Sequence, residues 1–255
     1  MTVLDGGVFL VCVALATWAQ ALTGFAFGLI LLGLVGVLHV VPLADAANAC
    51  NLLSLVQAWA ALRGGARKAV DVQALRDTMM GSVFGVAGGV FLLGWLSGNV
   101  VELLRLLLGL TILACAAMLL LRAAPRAVRS SSASFRAMGL VSGVMGGLFS
   151  TSGPPLVYHF YRQPMAAISI RHTLVSCFAI ASLVRLAIVV PTGQFGLDSL
   201  YLSVLAAPLV FGVTAWVRRA PPAWSPRVVQ GIVCALLVVA GVALAGPAML
   251  HYLRG

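Results

Sequence analysis

Acidic residues are scarce in this chain: six stand against sixteen basic ones among 255 residues, for a formal charge of +10. Charged residues of all kinds make up 9% against 62% hydrophobic, with a mean hydropathy of +1.08. That leaves too little polar surface to cover a water-soluble globule, so the composition dictates an integral membrane protein. The six acids (Asp5, Asp45, Asp71, Asp77, Glu102, Asp198) fall at or near the ends of apolar stretches, which excludes a buried carboxylate dyad. No C-x-x-C spacing occurs. Cys12, Cys50, Cys115, Cys177 and Cys234 all lie inside apolar runs, which indicates neither a zinc site nor a disulfide framework but small core residues. No metal and no cofactor is expected. The start, Met-Thr-Val-Leu-Asp, lacks the basic stretch of a signal peptide, and the apolar run from Val8 continues far past a signal core; it is the first membrane segment. A basic stripe with interleaved aromatics is also missing, so the positive charge does not indicate a nucleic-acid partner. The arginines sit instead in short clusters between apolar runs, as positive-inside loops require.

What is abundant is hydrocarbon. A spanning helix needs about 20 apolar residues, and charges and prolines divide the chain into runs near 6–41, 43–62, 74–96, 100–121, 136–161, 166–190, 198–217 and 227–250. The first is too long for one span and carries Thr23-Gly24, then Gly28, Gly33 and Gly36, which suits two short helices meeting at a turn. The fifth is interrupted by Ser150-Thr151-Ser152-Gly153-Pro154-Pro155, where proline removes backbone donors and glycine relaxes the backbone. Arg63, Arg67, Lys68 and Arg76, then Arg122, Arg126, Arg129 and Arg136, then Arg218, Arg219 and Arg227 mark three cytoplasmic loops. The connections at 97–99 and 191–198 lack Lys and Arg and belong outside, as do both termini. Arg162 and Arg171 put both ends of the run 136–161 on the cytoplasmic side, so it must be a hairpin. Ten short segments, or six full spans plus two re-entrant hairpins, satisfy the same charges.

The two halves align without a gap at an offset of 122 positions: Gly24 with Gly146, Phe27 with Phe149, Pro42 with Pro164, Ser54 with Ser176, Arg63 with Arg185, Arg105 with Arg227 and Gly109 with Gly231. The loop at 63–76 is cytoplasmic by charge and its counterpart at 185–198 external, so the repeats run in opposite directions, the signature of a secondary transporter. The expected fold is an all-α integral membrane protein of about 8–10 hydrophobic segments in two inverted-topology repeats, 1–121 and 136–255. A cytoplasmic linker, 122–135, joins them, and a broken-helix hairpin opens each. Glycines at 81, 85, 89 and at 139, 143, 147 recur every four residues; close helix packing is the first reading and a homodimer face the second.

Transporters of this plan place substrate near the midplane, at breaks whose half-helix amino ends aim N–H groups and partial positive charge at an anion. Thr23, Gly24, Phe25 and Gly28 at the first break, and Ser150, Thr151, Ser152, Gly153 and Pro154 at the second, are the candidate binding residues. The hydroxyls are donors, the prolines can start the second half-helix and Gly153 lets a ligand approach the backbone. The competing reading is a kinked helix whose hydroxyls patch freed carbonyls. Asn48, Asn51 and Ser54 share one helix face, and their register partners near the second hairpin are Thr173 and Ser176, beside Arg171 and His172. These residues join the candidate site, against a reading as interhelical hydrogen-bond glue. Arg171 either pairs with an anion bidentately or snorkels to the interface. Arg185, six residues before Pro191, is expected to snorkel outward, and His39, His159 and His251 to be interfacial.

The stretch Thr23-Gly24-Phe25-Ala26-Phe27-Gly28-Leu29 followed by Pro42 carries a likeness to a known family. So does Gly143-Val144-Met145-Gly146-Gly147-Leu148-Phe149-Ser150-Thr151-Ser152-Gly153-Pro154-Pro155 followed by Pro164 and Arg171. Together they resemble the sulfite exporter TauE/SafE family, also called the 4-toluene sulfonate uptake permease family, over nearly the whole chain. Ala26 stands where many members carry Gly, and the first half lacks the Gly-Gly-Gly run of others. The resemblance implies a bacterial inner-membrane permease, not an enzyme, for small sulfur-containing or organic anions such as sulfite, sulfonates or sulfoacetate, with lipid around it.

A cytoplasm-negative potential drives an anion outward by about 2.3 kcal/mol per charge per 100 mV, so export needs no coupling ion. Proton-coupled uptake would need a deep acid or histidine; the carboxylates are peripheral and His172 is the one deep candidate. Export is therefore favoured, with an anion channel or a proton-coupled uptake permease as alternatives. An intramembrane serine protease built on Ser152 with His159 or His172 would leave the repeat unexplained.

Overall fold

The computed structural model describes residues 3–23, 26–62, 69–99, 101–120, 126–219 and 226–254. They form ten α-helices, with no strand among them: α1 (Val3–Thr23), α2 (Phe27–Leu38), α3 (Leu43–Leu62), α4 (Val72–Asn99), α5 (Val101–Leu120), α6 (Ser132–Phe149), α7 (Gly153–Tyr161), α8 (Ala167–Val189), α9 (Leu197–Arg219) and α10 (Pro226–Arg254). Five of them, within α1, α4, α8, α9 and α10, are long and apolar enough to cross a membrane. The eight apolar runs become ten helices because the two unusual runs each break in two. α1 and α2 divide the run 6–41, α6 and α7 the run 136–161.

Each break has a local cause. Ala26 precedes α2 with a left-handed backbone, φ 78°, and Ser150 closes α6 with φ 52°. Neither residue type favours that region, and glycine would enter it freely, which is a physical reason for glycine to suit the position of Ala26. Pro154 follows in the first turn of α7, where its missing N–H leaves no helical hydrogen bond unmade.

The two glycine stripes pack on each other inside the chain. A methyl group at Gly81 would fall on the Arg136 carbonyl oxygen, one at Gly85 on that of Leu140 and one at Gly89 on that of Val144. From α6, Gly139 faces the Thr78 carbonyl, Gly143 that of Ser82 and Gly147 that of Val86. The numbers rise together, so α4 and α6 run parallel with backbones in contact. α5 and α10 pack through Gly109 against Ala245 and Gly241, and through Cys234 against the Ala116 carbonyl, so they run antiparallel.

The loops at the arginine-bearing end are tied together. Arg129 grips Asp71 with both terminal nitrogens, at 2.8 and 3.0 Å. The Asp71 amide donates to Thr173 Oγ1, Ser169 Oγ to the Ala69 carbonyl, and Gln163 holds Ser130 through both its side-chain oxygen and nitrogen. At the opposite end Ser199 Oγ donates to Asp45 Oδ1 at 2.7 Å, joining the starts of α3 and α9. The interior holds Phe9, Phe27, Phe135, Phe160 and the run Leu29–Leu32, while Phe84, Phe91, Trp95, Tyr201 and Val239 face outward, as a lipid solvent permits.

One position differs from the sequence expectation: Arg185 does not snorkel, being 1% exposed and turned into the protein. His159 lies at the arginine-bearing end, where Gln163 reaches its carbonyl, and is enclosed there edge-on to Phe135 with ring centres 4.7 Å apart. His39 is exposed as expected; the side chain of His251 lies outside the described residues.

Two predictions follow from this packing. Gly85→Ala should cost about 1–3 kcal/mol of stability by overpacking against a backbone that cannot yield, read as a lower melting midpoint by a thiol-reactive dye that meets the five buried cysteines only on unfolding. The hydrogen bond from Arg129 holds the Asp71 carboxyl below the usual carboxylate range, helped by the Ala74 amide. Its stabilisation is therefore complete above the ordinary carboxylate pKa of about 3.9 and fades as pH falls through the lowered value. The melting midpoint of Asp71→Asn should lie below that of the parent at neutral pH and converge with it in acid.

Candidate functional site

The two breaks meet. A side chain at Gly28, in the first turn of α2, would touch Thr151 Cβ at 2.9 Å and the Ser150 carbonyl oxygen at 3.2 Å, so the amino end of α2 abuts the turn between α6 and α7. Between them and α3, α8 and α9 lies a cavity of about 300 Å3. Its wall includes Gln20 and Ala21 at the end of α1, Ala26 and Gly28, then Ser54, Gln57 and Ala58 of α3. Ser150 to Gly153, then Arg171, His172, Val175, Phe178 and Ser182 of α8, and Thr214 of α9 complete it. Those stretches of α3, α8 and α9 are the ones nearest the arginine-bearing end, and exposed Arg171 stands at the rim.

The amino ends of the two half-helices differ in what they offer. At α2 the Phe27 amide is taken by Gln20 Oε1 at 2.9 Å and the Ile30 amide has its helical bond to the Ala26 carbonyl, while the Gly28 and Leu29 amides have no side-chain cap among the described residues. At α7, Pro154 and Pro155 remove two of the four amides a helix start normally presents, leaving Ser152 and Gly153. The turn is fixed by its hydroxyls: Ser150 Oγ donates to the Ala47 carbonyl at 2.6 Å, and Ser142 Oγ donates to the Ser152 carbonyl. Ser150 is thereby engaged in structure, Ser152 Oγ lies against Gly146 of α6, and Thr151 and Ser152 both contribute to the cavity wall.

Several buried polar atoms on this wall have no hydrogen-bond partner among the described residues: both amide atoms of Gln57, Thr214 Oγ1 and His172 Nδ1. Gln57 is 4% exposed and Thr214 3%. A buried polar atom without a partner costs about 1–3 kcal/mol, so a cluster of them beside one cavity marks a place where a further hydrogen-bonding group would be stabilising. Among the described residues no carboxylate lines the wall and one guanidinium, that of Arg171, does; its Nη2 donates to the Ala21 carbonyl at 3.2 Å, at the carboxyl end of α1. Hydroxyls, amides and a guanidinium without an acid form a donor-rich surface suited to an anion. No group of three His, Cys, Asp or Glu able to hold a metal occurs among the described residues. Nor does a hydrogen bond join Ser152 to His159 or His172 among them, although Ser152 and His172 share the cavity.

Of the residues singled out from sequence, Gly28, Ser54, Ser150, Thr151, Ser152, Gly153, Arg171 and His172 lie on this wall. Gly24, Phe25 and the side chain of Thr23 lie outside the described residues. The structure places Asn48, Asn51, Pro154, Thr173 and Ser176 off the wall. Thr173 donates to the Ser169 carbonyl and accepts from Asp71, joining the start of α4 to α8. Asn51 donates to the Ser182 carbonyl at 2.9 Å, and Asn48 is engaged with Arg185, Gln194 and Ser199. Gln20, Gln57, Ser182 and Thr214 were not anticipated. Gln57 continues the three-residue spacing of Asn48, Asn51 and Ser54, the one signal that pointed to it.

A polytopic helical protein with a donor-lined cavity at two broken helices is a membrane transporter in outline, and the comparisons give the family. The family model described as "Sulfite exporter TauE/SafE" matches residues 9–244, and the chain belongs to that family. It is 34% identical over 233 residues to a protein of Cupriavidus necator described as "Probable sulfite/organosulfonate exporter TauE", covering 91% of each chain. No solved structure matches.

The unpartnered hydroxyl of Thr214 gives a discriminating prediction. Thr214→Val keeps the shape and removes an orphan, so the melting midpoint should hold or rise, whereas the KM for a transported anion should rise roughly tenfold from loss of a hydrogen bond to charge. A fall in stability with unchanged KM would make the residue structural.

Proposed function

We propose that this chain is a carrier for a small sulfur-containing anion, sulfite or an organosulfonate, and that it exports the anion by alternating access. The observation that supports it best is the acid-free cavity between the two helix breaks, lined by Gln57, Thr214 and His172 with unfilled hydrogen-bonding atoms and rimmed by Arg171. Sulfite and sulfonates present three oxygens on one sulfur, which accept from hydroxyls, amide N–H groups and a guanidinium together. The name of the Cupriavidus relative supports the choice of sulfur among anions.

With positive loops inside, the arginine-bearing end is cytoplasmic, both termini are outside and the cavity faces the cytoplasm of a bacterial inner-membrane protein. The two halves, 1–121 and 136–255 with the linker 122–135 between, are read as inverted repeats, and the five helices of each half in similar order support that. Thr23, Gly24 and Phe25 belong to the proposed binding region by their place at the first break, and the anion enters from the cytoplasmic side. The resting potential then drives it outward without a coupled cation. Lipid surrounds the outward apolar faces; a homodimer would have to use one of them, since both glycine stripes are consumed within the chain.

The test is anion flux in proteoliposomes, comparing sulfite, sulfate, thiosulfate, a sulfonate and a carboxylate, each with and without an imposed potential and pH gradient. Saturable movement of sulfite or the sulfonate, increased by a potential negative on the cavity side, is expected. Flux indifferent to potential but dependent on a proton gradient would make the protein a proton-coupled permease. Unitary currents without saturation would make it a channel, and movement of the carboxylate alone would remove sulfur from the proposal.

A further inference from the structure

Arg185 is buried to 1% exposure and has no acidic partner: the ion pairs among the described residues are Arg105 with Glu102, Arg129 with Asp71 and Arg136 with Asp77. Its Nε donates to the Gly147 carbonyl at 3.1 Å and its Nη1 to Asn48 Oδ1 at 2.9 Å. Nη2 has no partner among the described residues. Gly147 lies in the last turn of α6, so the guanidinium sits at the carboxyl end of a helix, where the dipole offsets part of its charge. Two neutral acceptors and a helix end still leave a permanent charge buried without a counter-ion, a costly arrangement in a membrane protein unless an anion visits it.

Its position gives that anion a route. On α8, Ser182 lines the cavity and Arg185 lies one turn further from the arginine-bearing end. On α3, Ser54 lines the cavity, with Asn51 and Asn48 one and two turns further in the same direction. Asn51 closes on the Ser182 carbonyl, Asn48 on Arg185, and Asn48 Nδ2 also reaches the Gln194 carbonyl at 2.8 Å. Pro191 to Gln194 are exposed at the opposite face. A polar seam between α3 and α8 thus continues the line of the cavity, and these few contacts shut it.

We propose that this seam is the closed half of the anion pathway and that Arg185 is a second anion-binding residue within it. An oxyanion advancing from the cavity takes the free Nη2, replaces Asn48 as acceptor, and the parting of Arg185 from Asn48 opens the seam to the opposite face. The inference rests on the carrier reading above, and the test separates the two.

In a background with the five cysteines replaced by Ala, Ser182→Cys is exposed to a membrane-impermeant maleimide from either face of oriented vesicles. In the parent, labelling is expected from the arginine-bearing face. Adding Asn48→Ala or Arg185→Gln should raise labelling from the opposite face by about tenfold or more, and Arg185→Gln should lower sulfite or sulfonate flux at least about tenfold while Arg185→Lys keeps part of it. If neither added substitution admits the reagent from the opposite face, the seam is not the pathway. If Arg185→Gln, shown to be folded by its melting curve, transports at the parental rate, Arg185 binds no anion and serves only to cap α6; should that variant not fold, Arg185→Lys with unaltered KM and kcat would overturn the assignment equally. Anion flux without the labelling change would leave the carrier reading standing and sink the seam, whereas the labelling change in a protein that moves none of the anions would do the reverse.

Discussion

A helix that breaks within hydrocarbon must find partners for the backbone groups it frees, because no water is there to take them. This chain breaks twice, after α1 and after α6, and much of its polar inventory is arranged around that need. Gln20 takes the Phe27 amide, Ser142 holds the Ser152 carbonyl and Arg185 takes the Gly147 carbonyl at the end of α6. Ser150, held in a left-handed backbone, anchors its turn to α3 through the Ala47 carbonyl. Among the polar atoms left unsatisfied, those of Gln57, Thr214 and His172 share one place, the cavity between the amino ends of α2 and α7. The site is in this sense the remainder of the folding problem: donors that the fold does not use are available to a ligand.

The break in α6 needs a rigid neighbour, and α4 supplies it. Glycines on both helices bring the backbones into contact along three turns, so that α6 is held in register up to Gly147, two residues before it ends. Membrane helices gain little from burying apolar surface against each other in lipid, and close backbone approach is the substitute. Asp71 with Arg129, and Gln163 with Ser130, fix the loops that feed α4 and α6 at their common end. Packing and loop contacts therefore converge on holding the second break in place.

The elements most legible in sequence were those written in backbone chemistry. Ser150 to Pro155 and the glycines after Thr23 announced two breaks, and glycines every four residues announced close packing, because proline and glycine act locally and need no knowledge of the partner. The polar face of α3 was legible as a face but not in its division of labour. Spacing groups Asn48, Asn51, Ser54 and Gln57 without saying that the first two close on α8 while the last two line a cavity. Thr214 is the one hydroxyl in the stretch 204–217 of α9, with nothing local to distinguish it. Arg185 was misread because its distance from Pro191 describes a loop arginine equally well; only the tertiary fold reveals that Gly147 and Asn48 lie within its reach.

The charge distribution links these observations to selectivity. Acids are present in the chain, but they are placed at helix starts and loops: Asp71 is neutralised by Arg129, Asp45 is held by Ser199, and none lines the cavity. The cations are distributed otherwise, with Arg171 at the rim and Arg185 beyond the inner wall, neither facing a carboxylate among the described residues. A cation entering this cavity would meet one positive charge, approach a second and find no acid to compensate. An anion would meet the same two charges as partners, with hydroxyls and amides between them to replace its water. The membrane potential acts on both ions with equal strength and opposite sign, so it does not decide which of them the cavity admits. That choice falls to the placement of the acids, which were scarce from the outset and have been kept at the periphery.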